Sequence, residues 1–289
     1  MPISDPFTDP SVYLIDRMLK RNLVNMVYGA SGSNKTTWVL QLLNSLATEQ
    51  KFLGEYSVNS PLPKAHYISF DRPAEELTRK IKNVFPSLVG RMTTESCFPR
   101  LSSNPTLEAL LSHIPFPTKL LVLDSIGFVV DGKKLIDQRA IGSFMSQCYN
   151  WAQAHQATLI LIHHNAKSKT GSGYANAREK ASGSGAWAAC SGLAVSIGPI
   201  SNETEDARRQ ADIMDNDQPG LTLHLEVTNQ GLVIASPPSR PSRNDDDDDP
   251  RDYQHYWDHL VTATSTAKSL IEQGVPKSTA YRIMKQLGN

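Results

Sequence analysis

A short glycine-containing loop between a strand pattern and a helix pattern constrains this chain more than any other feature. Residues 23–28 are mostly apolar and predict a buried strand, and residues 38–47 carry apolar side chains at helical spacing. The loop between them, residues 29–37, reads GASGSNKTT and matches G-x-x-x-x-G-K-[ST] at every fixed position except one. A strand, a glycine loop and a helix in this order can hold phosphate groups between the loop amides and the helix N-terminus.

We interpret the whole loop as a nucleotide-binding segment. Its residues are Gly29, Ala30, Ser31, Gly32, Ser33, Asn34, Lys35, Thr36 and Thr37. We expect Lys35 to reach the β- and γ-phosphates of ATP and Thr36 to ligate Mg²⁺. Asn34 replaces the last glycine of the pattern, and asparagine is the non-glycine residue that best tolerates left-handed backbone angles. The alternative is a glycine-rich turn that happens to precede Lys-Thr.

Further strand and helix patterns alternate along the first half of the chain. Strands are predicted at 66–70, 119–123 and 158–162, with helices at 75–85 and 140–155. This alternation predicts an α/β fold with a mostly parallel sheet and right-handed crossovers. Three later segments alternate in polarity and predict antiparallel strands that extend one edge of the sheet, with an acidic loop over 201–220 between the first two. These segments are 192–198, 221–229 and 232–235.

Polar residues follow the predicted parallel strands, where open α/β sheets bind ligands. Asp124 ends an apolar strand and is expected to hold Mg²⁺ together with Thr36, against the alternative of a helix-capping aspartate. Asp71 ends the strand before it and could orient or activate the attacking water, although capping the turn before Pro73 is a serious rival. His163 and His164 follow the fourth strand, and we expect at least one of them to sense the γ-phosphate.

A basic segment follows these histidines. Residues 166–185 are rich in glycine, serine and cations and predict a long loop that contacts a nucleic-acid backbone, with a solvated loop as the alternative. Its candidate contacts are Lys167, Lys169, Arg178 and Lys180. Lys133 and Lys134 form a second, weaker candidate. Because lysine plus arginine and aspartate plus glutamate both number 29, the net charge neither supports nor excludes a polyanionic partner.

The C-terminal part of the chain has a different composition. Proline and five consecutive aspartates mark residues 236–250 as a linker, so the first domain is predicted to span 1–235. Residues 251–289 predict a small all-α module, a helix-turn-helix in which Arg282 and Lys285 could meet nucleic acid. Contact with protein is the alternative for this module.

Composition sets the broad class. No apolar run approaches membrane-spanning length, and the N-terminus lacks a basic and apolar leader, so we expect a cytoplasmic protein with no membrane partner. Cys97, Cys148 and Cys190 show no paired or metal-type spacing, which fits a reducing compartment.

These motifs together resemble the RecA-like ATPases of the plasmid and phage RepA type, a family of replicative helicases similar in core to DnaB. The resemblance covers about residues 14–235 and rests on 29–37, 67–71 with 75–77, 121–125, and 160–167 with 183–184. It implies a RecA-like P-loop core, Mg²⁺-ATP as ligand, and a hexameric ring around single-stranded DNA. The family's H-H-x-x-K pattern is met by His163, His164 and Lys167.

Two positions depart from that family. The strand after its P-loop ends in a catalytic glutamate, and the shorter Asp71 stands here. Its members often show Arg-Gly-Ser, whose arginine acts on the neighbouring subunit's ATP, and this chain reads Ser182-Gly183-Ser184, with Arg178 and Lys180 as the nearest substitutes. These departures are therefore compatible with a protein that binds ATP well and hydrolyses it poorly.

The resemblance implies ATP-driven translocation or helicase action in the replication of a mobile element. Two other functions stay open. One is a recombination mediator or loader ATPase. The other is a nucleotide-gated DNA-binding regulator in which the helix-turn-helix reads a sequence and the core only switches.

Overall fold

The computed structural model describes residues 11–96, 107–128, 137–164, 186–200 and 207–236. The chain divides into two units, Met1–Ser236 and Pro237–Asn289, and all described residues belong to the first. The predicted basic loop after His164 and the predicted helix-turn-helix lie outside the described residues.

Strands and helices alternate through the first unit. In chain order they are β1 (Tyr13–Ile15), β2 (Leu19–Lys20), β3 (Val24–Gly29), α1 (Lys35–Thr48), β4 (Ala65–Ser69), α2 (Ala74–Val84), β5 (Met92–Ser96), α3 (Leu107–Ser112), β6 (Leu120–Asp124), α4 (Gln138–His155), β7 (Thr158–His164), α5 (Ala186–Ala189), β8 (Leu193–Pro199), β9 (Arg208–Asp215), β10 (Leu221–Thr228) and β11 (Gly231–Ile234).

One large sheet organises the described residues. Its nine strands run in the order β11-β10-β9-β8-β3-β7-β6-β4-β5. Neighbours from β8 to β5 pair in parallel, and β8, β9, β10 and β11 pair antiparallel to one another in turn. The predicted α/β fold, with a mostly parallel sheet and antiparallel edge strands, is therefore confirmed.

Two details of the predicted sheet were wrong. The segment 201–220 was predicted as a loop, yet β9 occupies Arg208–Asp215. The strand was missed because most of its residues are charged or amide side chains. Only the alternate positions Ala211 and Ile213 are buried. In addition, β8 was predicted to be antiparallel, but it pairs in parallel with β3 and antiparallel only with β9.

Apolar layers cover both faces of the sheet. Strands β3, β4 and β6 are buried along their whole length, as expected for central parallel strands. On one face α1 contributes Trp38 and Leu42 to the core, and on the other α4 contributes Phe144 and Met145. The two layers fix β3 at the centre and leave the carboxyl ends of the strands to carry polar groups.

Gly29, the last residue of β3, lies against the neighbouring strand β8. A Cβ atom built on Gly29 would lie 2.0 Å from the Ile197 carbonyl oxygen and 2.8 Å from Ser33 Oγ. Because the first of these atoms belongs to the backbone of a sheet strand, it cannot rotate away. Glycine is required here by close approach.

We expect Gly29→Ala to lower the free energy of unfolding by about 1–3 kcal/mol, because the added methyl group forces β3 and β8 apart. Gly142→Ala in α4 is the matched control, since no atom outside its own helix lies within 4 Å of the added Cβ atom. That control should be neutral or stabilising by up to about 1 kcal/mol. Urea unfolding of both variants measures the difference, and equal effects would contradict the packing argument.

Candidate nucleotide-binding site

The sheet register brings the predicted site residues to one edge. Tyr28 pairs with His163 across β3 and β7, and Ser69 pairs with Asp124 across β4 and β6. A pocket opens at this edge beyond the end of β3. It is lined by Ser31, Gly32, Asn34, Lys35, Thr36, Thr37, Asp71, Arg72, Lys80 and His164.

The glycine loop keeps an open, turned backbone despite its asparagine. Gly32 lies at φ 76° and Asn34 at φ 70°, ψ 23°, both in the left-handed region. Asparagine is tolerated there, as expected from its residue type. Helix α1 begins at Lys35, and the Trp38 amide donates to the Asn34 carbonyl at 2.9 Å. The N-terminus of α1 therefore opens into the pocket.

Lys35 folds back onto the loop that carries it. Its Nζ atom donates to the carbonyl oxygens of Gly29 and Ala30 at 3.0 and 2.7 Å, and lies 3.4 Å from Ser33 Oγ. Burial lowers the pKa of Lys35 to about 8, against the opposing effect of the Asp124 and Asp71 carboxylates. A bound phosphate group would place a negative charge next to this buried amine and would favour its protonated form.

Thr36 and Asp124 meet directly. The Thr36 hydroxyl donates to Asp124 Oδ2 at 2.9 Å, and the Tyr67 hydroxyl donates to the same oxygen at 2.6 Å. Burial, and then repulsion from Asp71, raise the pKa of Asp124, while the two hydroxyl donors oppose the shift. An alcohol oxygen beside a carboxylate oxygen is a hard donor pair of the kind that Mg²⁺ prefers. These two residues therefore fit the predicted metal site.

Tyr67 is a site residue to which the sequence assigned no role. It is fully buried in β4, and burial together with the Asp124 carboxylate raises its pKa well above the ordinary range. The hydroxyl is therefore a permanent donor to Asp124. In the sequence, the one signal for such a role was a hydroxyl-bearing side chain within a strand that is otherwise buried.

Asp71 and His164 also come together. His164 Nε2 lies 3.2 Å from Asp71 Oδ2, and both side chains line the pocket. The other carboxylate oxygen of Asp71 and the Nδ1 atom of His164 are buried without a hydrogen-bond partner among the described residues. The Asp71 oxygen can accept a hydrogen bond from a water molecule, and so can His164 Nδ1 when Nε2 carries the proton.

His163 is separated from His164. It is buried to 1% exposure, does not line the pocket, and its ring centroid lies 5.3 Å from that of Trp187. Adjacent strand residues point to opposite faces of a sheet, so only one of the two histidines can face the pocket. The predicted direct role of His163 in the pocket is therefore corrected. Its side chain lies in the core next to Trp187 of α5.

Two pocket cations went unrecognised in the sequence. Arg72 pairs with Glu76 at 2.9 Å, and Lys80 Nζ donates to Thr37 Oγ1 at 2.7 Å. Arg72 lies just before α2 and Lys80 lies within it, and the sequence alone did not place this segment beside the glycine loop. The predicted nucleic-acid contacts Lys167, Lys169, Arg178, Lys180, Arg282 and Lys285 lie outside the described residues.

Fold and site together define a P-loop domain of the RecA-like class. The chain belongs to the AAA domain family, whose model matches residues 4–170. None of the curated proteins matches it. No helix in the described part of the chain is long and apolar enough to cross a membrane.

Solved structures that resemble this fold include two of the RecA-like class. The RadB recombinase aligns with a TM-score of 0.52 and 14% identity, over 75% of this chain and 93% of that one. A KaiC-like protein from Pyrococcus horikoshii OT3 aligns with a TM-score of 0.53 and 16% identity, over 78% of this chain and 97% of that one. Both likenesses support the architecture of the sheet.

The buried His163 generates a pH prediction. Burial, then the nearby His164 and Lys35, lower the pKa of His163 to about 4, so the unfolded chain binds a proton between about pH 6.5 and pH 4 that the folded chain does not. Stability should fall as the pH drops through this window, by roughly 3 kcal/mol at full extent. In His163→Phe this loss should disappear.

Thermal unfolding from pH 7 to pH 4.5 measures the effect. Exposed His113, replaced by glutamine, is the matched control. This variant should keep the wild-type dependence of unfolding temperature on pH. An unchanged slope in His163→Phe would contradict the assignment.

Proposed function

We propose that this protein is a Mg²⁺-dependent ATPase that acts on nucleic acid as a motor. The observation that carries the proposal is the pocket in which the P-loop, Asp71 and His164 meet, with Asp124 hydrogen-bonded to the pocket residue Thr36. Phosphate-binding amides, a metal-binding oxygen pair and a group able to position water are the parts that phosphoryl transfer requires.

Lys35 would exchange its loop carbonyls for the phosphate oxygens. Its ammonium group now holds the Gly29 and Ala30 carbonyl oxygens, and these contacts keep the amine at the glycine loop. When ATP enters, the charged phosphates are stronger acceptors than carbonyl oxygens. The free-state contacts thus position the amine for binding.

Thr36 and Asp124 would hold the metal ion. Bound Mg²⁺ would neutralise charge on the phosphates. Asp124 is buried with a raised pKa, so its carboxylate is short of positive partners in the free protein. Tyr67 would fix which carboxylate oxygen is available by occupying Oδ2.

Asp71 and His164 would act on the terminal phosphate side. Asp71 is one methylene shorter than the glutamate that the RepA-type resemblance leads us to expect, and His164 at 3.2 Å extends its hydrogen-bonding reach. A carboxylate that orients water through its free oxygen would suit the chemistry. This arrangement also fits slow hydrolysis.

Nucleic acid would be contacted by the segment that follows β7. His164 ends that strand in the pocket, and Lys167 comes three residues later in the sequence. A change at the terminal phosphate could therefore be transmitted along a short stretch of chain to Lys167, Lys169, Arg178 and Lys180. Arg282 and Lys285 would add a second contact region.

The leading function is ATP-driven translocation or helicase action in replication of a mobile element, with single-stranded DNA threaded through a hexameric ring. A recombination mediator or loader is the second candidate, favoured by the short Asp71 and consistent with a fold similar to that of the RadB recombinase. A nucleotide-gated regulator is the third, and it depends on sequence-specific binding by residues 251–289.

The test is steady-state ATP hydrolysis with and without single-stranded DNA. We expect stimulation by DNA, and we expect Lys35→Ala to lower turnover by about 10²-fold or more, since it removes a charge from the phosphates. Lys51→Ala, at an exposed position just after α1, is the matched control and should keep wild-type turnover. Circular dichroism checks that both variants fold.

The outcomes separate the three functions. DNA-stimulated hydrolysis with strand separation supports the helicase, and stimulation without unwinding supports the mediator. Negligible turnover with site-specific DNA binding that is lost on deleting 251–289 supports the regulator. A chain that binds no nucleotide would contradict all three.

A further inference from the structure

Arg72 is built into the pocket by its backbone. Its carbonyl oxygen accepts hydrogen bonds from Ser69 Oγ at 3.1 Å and from Ser96 Oγ at 2.9 Å. These hydroxyls come from the ends of β4 and β5, two neighbouring strands. Arg72 therefore has a fixed starting point next to Asp71, although its side chain is partly exposed.

The partner that the described residues give this side chain is a weak one. Its Nη1 atom donates to Glu76 Oε1 at 2.9 Å within α2, and the two side chains are 41% and 45% exposed. Exposed pairs at this spacing contribute little to stability. A phosphate oxygen in the pocket is a better acceptor for guanidinium, so exchanging Glu76 for phosphate would cost little.

The two other cations of the pocket both contact residues of the loop 29–37. Lys35 holds the glycine loop, and Lys80 donates to Thr37 at 2.7 Å. Burial and the charge of Arg72 lower the pKa of Lys80, whereas arginine stays charged at any working pH. The charge of Arg72 also lowers the pKa of Lys35 and opposes the rise at Asp124, so it acts across the whole pocket.

We propose that Arg72 acts on ATP bound to its own chain, as the positive charge that stabilises the terminal phosphate during hydrolysis. Arg72 would replace the arginine of the RepA-type Arg-Gly-Ser pattern, which this chain lacks at Ser182-Gly183-Ser184. This inference rests on the proposed ATPase function and deepens it, because it names the charge and the chain that supplies it. Arginines in this role act either from the same chain or from a neighbour.

The reaction balances without a further reagent. The oxygen of water forms a bond to the terminal phosphorus, and the bond to the bridging oxygen breaks with its electron pair left on ADP. The proton of water passes to Asp71 and then to solvent. Arg72 donates hydrogen bonds to the phosphate oxygens and neither gains nor loses a proton.

Calorimetric titration with the imido analogue of ATP and with ADP tests the contact itself. Arg72→Gln should weaken binding of the analogue about 10-fold or more and change ADP binding less than about 2-fold, since only the analogue carries the terminal phosphate. Glu76→Gln is the matched control because it breaks the same ion pair. It should bind the analogue as tightly as wild type or more tightly.

Equal losses in Arg72→Gln and Glu76→Gln, or equal losses for analogue and ADP, would overturn the inference. The two proposals fail separately. A protein that discriminates the analogue from ADP through Arg72 but never hydrolyses ATP contradicts the ATPase function and keeps the contact between Arg72 and the terminal phosphate. Hydrolysis that is unaffected by Arg72→Gln contradicts only the role of Arg72.

Mixed assemblies decide whose ATP is served. Arg72→Gln and Lys35→Ala chains carrying different tags are co-expressed and purified through both tags. If Arg72 serves its own chain, every site in the mixture has a defect and turnover stays at the level of the separate variants. Turnover well above that level would show that Arg72 serves a neighbour and would overturn the assignment.

Discussion

The hydrogen bond between Thr36 and Asp124 is the contact on which the rest of the site depends. It joins the first turn of α1 to the end of β6 at 2.9 Å, and so sets the distance between the glycine loop and the end of that strand. The strands between them are in register, with β7 next to both β3 and β6. The site is thus a property of the sheet and not of the loop alone.

Burial of the Asp124 carboxylate lowers stability, and its two hydroxyl donors offset only part of that cost. Asp124 is a nearly fully buried carboxylate whose pKa is raised by burial, and among the described residues it receives hydroxyl donors but no ion-paired cation. Such a group favours the unfolded state until a cation arrives. Lys35, also buried, has the opposite charge and the opposite shift. Both groups suit a pocket completed by a metal ion and a polyanion.

Sequence reasoning predicted the parts of this architecture that have strong local signals. The loop from Gly29 to Thr37, the buried apolar run of β6 and the helical period of α4 were sufficient to predict the class of fold. Half-exposed strands such as β9 were missed because their polar face hides the alternation. The orientation of His163 and His164 depends on which face each strand residue takes. The roles of Arg72 and Lys80 could not be predicted, because residue types alone do not say that α2 and the residues before it lie beside the glycine loop.

The most direct test of the central claim is the Mg²⁺ dependence of binding of the imido analogue of ATP, measured by calorimetry for wild type and Thr36→Val. Thr48→Val, at the last turn of α1, is the matched control. If Thr36 and Asp124 form the metal site, Mg²⁺ should tighten wild-type and control binding by about 10-fold or more, and Thr36→Val should lose this gain while its Mg²⁺-free affinity stays near wild type. An undiminished Mg²⁺ effect in Thr36→Val would contradict the account.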